Sequence, residues 1–195
     1  MSDTTQPTVR QSIRRSADDF VTVVWPVIGP LMGGGTIIPV EAVTEDRMAK
    51  HLDVYAGIDA WQILPDNSMR GIGSRVRYGR TYNDFTVRAR LSSGGDTEWQ
   101  KRLLAVTHPH LGLLSPQWTV TAYLNAQDRT VTSAAAVKTE SLIRFIQAHL
   151  ATLELQSTPT GERFYAVGFA RLKRWGADVI ITDKTGKGQT TLEVA

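Results

Sequence analysis

Three short runs between Leu52 and Leu91 constrain the fold of this chain more than any other feature. Leu52–Trp61, Gly71–Tyr78 and Phe85–Leu91 carry β-branched and aromatic residues, and Pro65-Asp66-Asn67 and Tyr82-Asn83-Asp84 lie between them. Such runs bounded by turn residues predict three successive strands, and connections this short predict an antiparallel meander. In the third run Phe85, Val87, Ala89 and Leu91 alternate with Thr86, Arg88 and Arg90, which puts an apolar and a polar side on one strand. In the second, Ile72, Ser74, Val76 and Tyr78 share one face, and Arg75 and Arg77 share the other.

The charge of these strands is lopsided. Between Arg70 and Leu91 six arginines (70, 75, 77, 80, 88 and 90) stand against one acid, Asp84, a local charge of +5 in a chain whose formal charge is only +3. A field of that size attracts polyanions. Arginines that alternate on strands share a face, so DNA or RNA is the expected partner, with Arg75, Arg77, Arg88 and Arg90 as phosphate contacts. The competing reading is a solvated, arginine-rich surface.

At 195 residues the chain is long enough for one well-buried core, and a single α+β domain over residues 1–183 is expected. It has no cysteine, which excludes disulfides and thiolate chemistry and fits a cytoplasmic protein. Met1–Thr8 is polar and is not a secretory signal. Phe20–Val40 has no charged residue and nearly the length of a bilayer span, but seven of its positions are glycine or proline. Gly33-Gly34-Gly35 would break any spanning helix, so a buried helix followed by a loop is expected, with no membrane contact. The same apolar segment could instead dock on other subunits or on a second copy of the chain.

The remaining elements follow from periodicity. A helix is expected from Thr8 to Val24 or a little beyond, ended or kinked by Pro26 and Pro30. Ile37–Ala42 reads as extended, and Thr44 as the cap of a short helix from Glu45 to Leu52. A helix from Glu98 should bury Trp99, Leu103 and Leu104 and leave Lys101 and Arg102 on its flank. Trp118–Leu124 and Thr130–Val137 form a hairpin, and Thr139 caps a helix burying Leu142, Ile143, Ile146, Leu150 and Leu153. Phe164–Phe169 and Asp178–Thr182 complete the strands, and residues 184–195 are expected to be a mobile tail. The order predicts a mixed α/β or α+β fold, a mainly antiparallel central sheet with flanking helices.

Asp59 is the first candidate for chemistry, because a carboxylate in the apolar run Ala56–Trp61 must be paired or ligate a cation. Its partner could be Arg75, Arg77 or Arg88. Gly57-Ile58-Asp59 on one strand, Arg75-Val76-Arg77 on the next, and Glu41 or Glu45 upstream form a pattern that resembles the PD-(D/E)XK nuclease-like fold over Val40–Leu104. The resemblance implies phosphodiester hydrolysis with Mg²⁺, in which Asp59 would hold the metal and Glu41 or Glu45 would assist. Arg75-Val76-Arg77 occupies the place of (D/E)-x-K without its carboxylate, and arginine stays protonated and cannot serve as a base. A non-catalytic binding member, or a subunit of a larger assembly, is therefore the alternative expectation.

The start of the helix at Thr97–Arg102 offers free N–H groups to a phosphate, with Lys101 and Arg102 a turn further on. Ordinary capping and a Glu98–Lys101 or Glu98–Arg102 pair are the favoured reading there. His108 and His110 lack a third ligand in sequence, and the triple glycine lacks the Gly-Lys-Ser/Thr of a phosphate loop.

Overall fold

A computed structural model describes residues 9–40, 56–91 and 97–183. The chain begins with α1 (Val9–Asp19), which runs through a π-helical turn, Phe20–Val24, into α2 (Trp25–Ile28). Helix therefore passes Pro26 and ends at Ile28, a little beyond Val24 as expected. A proline inside a helix crowds the carbonyl four residues back and has no N–H to give. The π turn absorbs that misfit: the Trp25 N–H reaches the Phe20 carbonyl, five residues back. A 3₁₀ turn, Pro30–Met32, and the glycine loop lead into β1 (Thr36–Pro39). Gly35 sits at φ 86°, and a Cβ there would run into the Ile63 carbonyl, so the loop needs glycine.

The remaining elements are β2 (Ala60–Ile63), β3 (Met69–Tyr78), β4 (Asp84–Arg90), α3 (Glu98–Thr107), β5 (Trp118–Leu124), β6 (Val131–Lys138), α4 (Thr139–Ala148), β7 (Leu155–Ser157), β8 (Arg163–Gly168), α5 (Phe169–Arg174) and β9 (Val179–Asp183). They form a six-stranded sheet in the order β1-β2-β3-β5-β6-β9 and a three-stranded sheet in the order β4-β8-β7. Every pairing is antiparallel except β3 with β5. The architecture is α+β, as the sequence predicts.

The three-strand meander is not formed as expected. β2 and β3 pair, but β4 leaves to open the second sheet, and β5 takes its place beside β3 in parallel. Parallel neighbours require a long crossover, which here consists of β4, α3 and the loop to β5. The apolar side of β4 is buried in its new place: Phe85 and Val87 join Tyr165 and Val167 of β8 in the core between the small sheet and one face of the large one.

Two cores lie on the two faces of the large sheet. On one, Ile72, Val120, Ala122, Leu124, Ala134 and Ala136 pack against Phe20, Val24, Trp25 and Ile28. On the other, Tyr123, Ala135, Val137 and Val179 meet Trp99, Leu142, Ile143, Phe145 and Ile146, together with the small sheet. β5 is buried along its whole length because both its faces are covered. Phe20, Val24, Trp25, Ile28, Met32 and Ile37 of the Phe20–Val40 segment are buried in the first of these cores. Among the described residues, no helix is long and apolar enough to cross a membrane. The expected Glu45–Leu52 helix and the tail lie outside the described residues.

Candidate functional site

The parallel register aligns Gly73, Arg75 and Arg77 of β3 with Thr119, Thr121 and Tyr123 of β5, and β4 and α3 cover this strip. Arg75 donates through Nη1 to the Thr86 hydroxyl, and its Nη2 lies 3.5 Å from Glu98 Oε2. Arg77 donates to the same hydroxyl at 2.9 Å and lies 3.5 Å from Asp84 Oδ1. Thr86, on the polar side of β4, is thus a buried acceptor shared by two guanidiniums. The Tyr123 hydroxyl donates to Asp84 Oδ1 at 2.6 Å. Burial, and after it this bond, pushes the phenol up to about 12.

α3 contributes the other half of the cluster. Thr97 and Gln100 close a capping box, with the Thr97 N–H donating to Gln100 Oε1 at 2.8 Å, so helix capping is what occupies the candidate phosphate site. The buried stripe of α3 is Trp99, Arg102, Leu103 and Val106, at i, i+3, i+4 and i+7. Arg102, expected on the flank, is only 5% exposed, whereas Leu104, expected inside, is 44% exposed. The reason is electrostatic as well as periodic. Arg102 Nη2 lies 2.9 Å from Glu98 Oε1, and Nη1 donates to the Thr119 hydroxyl at 3.1 Å. Thr119 in turn meets the Thr139 hydroxyl at 2.9 Å. Thr139 therefore does not cap α4; it is the first helical residue, and its side chain closes this buried chain of polar groups.

Glu98 joins the two halves. It faces Arg102 and Arg75 and accepts the Arg88 backbone N–H at 3.1 Å. Burial alone would raise its carboxyl, but Arg102, Arg75, the Arg88 amide and the Arg88 charge together outweigh this and hold it below the usual carboxylate range.

Asp59 lies just before β2 and not in mid-strand, because Gly57 at φ 64° delays the start of regular pairing. Its backbone still belongs to the ladder: its N–H donates to the Ile72 carbonyl at 2.8 Å, and its carbonyl accepts from Val40 at 3.0 Å. Its carboxylate accepts the Ser74 N–H. Arg75, Arg77 and Arg88 meet their carboxylates at Glu98, Asp84 and Glu162, the last at 3.7 Å. Among the described residues no three His, Asp or Glu side chains gather as metal ligands. Glu41 and Glu45 lie outside the described residues.

The cations facing water are elsewhere. Arg90 and Arg163 are direct partners across β4 and β8, beside an irregularity in the register after Arg88, and both are exposed. Like charges placed directly opposite repel. Lys101 is half-buried on the flank of α3. Arg163 carried no signal of its own in the sequence, since its importance comes from a register that joins segments some seventy residues apart. Of the aromatic side chains that could stack on bases, Trp99 and Tyr123 are core residues, and Tyr82 is exposed with the Arg80 guanidinium 5.1 Å above its ring.

Comparison with family models, curated proteins and solved structures finds nothing that matches this chain.

Proposed function

We propose that this protein binds nucleic acid by its phosphate backbone, with Arg90 and Arg163 as the principal contacts and Arg88 beside them. The observation that carries this reading is the Arg90–Arg163 pairing: two exposed arginines that are partners in register across β4 and β8. A bridging phosphate relieves their repulsion and accepts charge-assisted hydrogen bonds from both. Arg75, Arg77 and Arg102 play a different part here. Held by Glu98, Asp84 and Thr86, they brace β4 against the large sheet and so fix the strand that presents Arg90.

The test is the salt dependence of binding to duplex DNA. Each phosphate contact contributes roughly 0.9 to the slope of log affinity against log salt. Arg90→Ala with Arg163→Ala, which together hold one bridging phosphate, should lower the slope by about that amount. An unchanged slope, or a wild-type affinity indifferent to salt, overturns the reading.

Metal-dependent cleavage, the activity of the nuclease-like family, is a second reading. It is favoured by the position of Asp59 at the entry to β2, where its carboxylate accepts the N–H of Ser74, the residue before Arg75. It requires that purified protein nick plasmid DNA with Mg²⁺ and that Asp59→Ala abolish nicking while binding persists. Absence of nicking by the wild type removes cleavage and leaves binding intact.

A further inference from the structure

β8 leads directly into α5, whose last turn carries Arg171, Lys173 and Arg174, with Trp175 as the next residue. No acidic residue occurs between Arg171 and Ala177. Basic side chains at a helix C-terminus complement its dipole, which accounts for some of this charge. It does not account for the indole, which is 43% exposed at the edge of an otherwise closed core.

The surroundings of Trp175 hold it in place without covering it. Phe145 of α4 is buried beneath, and the His149 ring stacks on Phe145 at 4.2 Å and 22°. His149 Nδ1 lies 2.8 Å from the Phe145 carbonyl. A carbonyl only accepts, so Nδ1 carries the hydrogen and the ring is locked in orientation. Trp175 meets Phe145 at 5.4 Å and 85°, and His149 at 6.3 Å and 76°. Both contacts are edge-type, and among the described residues no ring lies parallel to Trp175. The Arg171 guanidinium sits 5.5 Å above the Phe145 ring, and Arg171 and Arg174 have no carboxylate partner among the described residues.

We infer that Trp175, with Arg171 and Arg174, forms a stacking platform for an unpaired base, so that the nucleic acid bound is single-stranded or carries a single-stranded portion. The inference deepens the nucleic-acid reading above and rests on it. A partly exposed indole, held by two near-perpendicular ring contacts in a segment with two exposed arginines, is what unpaired bases and their phosphates together require. A base within a duplex already has both faces stacked and gains nothing from the indole. A charged, tryptophan-bearing patch also suits an anionic membrane surface. The fixed ring geometry favours the base, since lipid insertion needs no parallel stacking face.

The experiment measures affinity of the full chain for an oligothymidylate, for a duplex of equal length, and for phosphatidylserine–phosphatidylcholine vesicles, at one salt concentration. Trp175→Ala should weaken oligothymidylate binding about tenfold or more and leave duplex binding unchanged. Trp175→Phe, which keeps both the edge contact and a stacking face, should retain most of the single-strand affinity, and this separates stacking from loss of fold. Arg90→Ala with Arg163→Ala should weaken both nucleic acids. Equal single-strand affinity in wild type and Trp175→Ala overturns the platform and leaves the phosphate contacts standing. Vesicle binding lost in Trp175→Ala, with oligonucleotide binding unaffected, overturns it in favour of a membrane. Failure of the wild type to bind either nucleic acid overturns the platform and the reading beneath it together.

Discussion

Glu98 concentrates more of this protein's polar interactions than any other side chain of the strip, and its titration should be visible in stability. Its folded carboxyl is held below the ordinary value of 4.5, so its contribution is present above that value and lost as pH falls through the lowered one. Glu98→Gln leaves Arg102 and Arg75 without their carboxylate and should cost about 2–3 kcal/mol at pH 7, less than a fully buried pair because part of the cluster is solvated. In urea melts the gap between wild type and variant should close below about pH 4.5. A gap that stays constant down to pH 3 would show that Glu98 is not charged where it matters. This cluster was only partly legible in the sequence. The i,i+4 pair of Glu98 with Arg102 could be read, but the burial of Arg102 could not, because burying a guanidinium runs against its solvation. Strict helical spacing from Trp99 does reach Arg102 and Leu103 before Leu104, and that was the available signal.

Elements were more legible than their pairing. Alternation and periodicity located β3, β4, β5, β6 and α4 to within a few residues, since each buries a face that its own sequence displays. β7 was missed because Leu155-Gln156-Ser157 is exposed throughout and shows no alternation. The partner of β4 was missed because strand pairing depends on β8, about eighty residues further on, and no turn residue encodes that distance. The fit of α3 against β3 is tested at Gly73. A Cβ there would lie 2.7 Å from Arg102 Nη2 and 3.0 Å from the Gly57 carbonyl oxygen. Arg102 cannot move away without leaving Glu98, so Gly73→Ala should destabilise by about 2 kcal/mol, as overpacking does. A thermal melt indistinguishable from wild type would mean that the guanidinium has room to shift.

At the scale of the whole molecule, the structure separates two populations of cations that the sequence shows as one. Arg75, Arg77 and Arg102 turn inward to carboxylates and hydroxyls, while Arg90, Arg163, Arg171 and Arg174 face water at the two ends of β8 and α5. Composition reports the charge but not its direction, because the acids that neutralise it come from other elements. Binding and stability should therefore respond to different substitutions. Arg75→Ala with Arg77→Ala should lower the melting temperature and leave the salt slope of binding nearly unchanged, the converse of Arg90→Ala with Arg163→Ala.

Glu98 and Tyr123 have one more consequence, for how this protein behaves in a crowded solution. β4 pairs only with β8, so its other side is an unpaired strand edge, a ready template for another chain. Two of the amides not spent on β8 are already taken: Arg88 donates to Glu98 at 3.1 Å, and Asp84 donates to the Tyr123 hydroxyl at 3.3 Å. A helix and a neighbouring strand thus plug the edge with side chains, and the buried salt cluster doubles as a guard against runaway self-association.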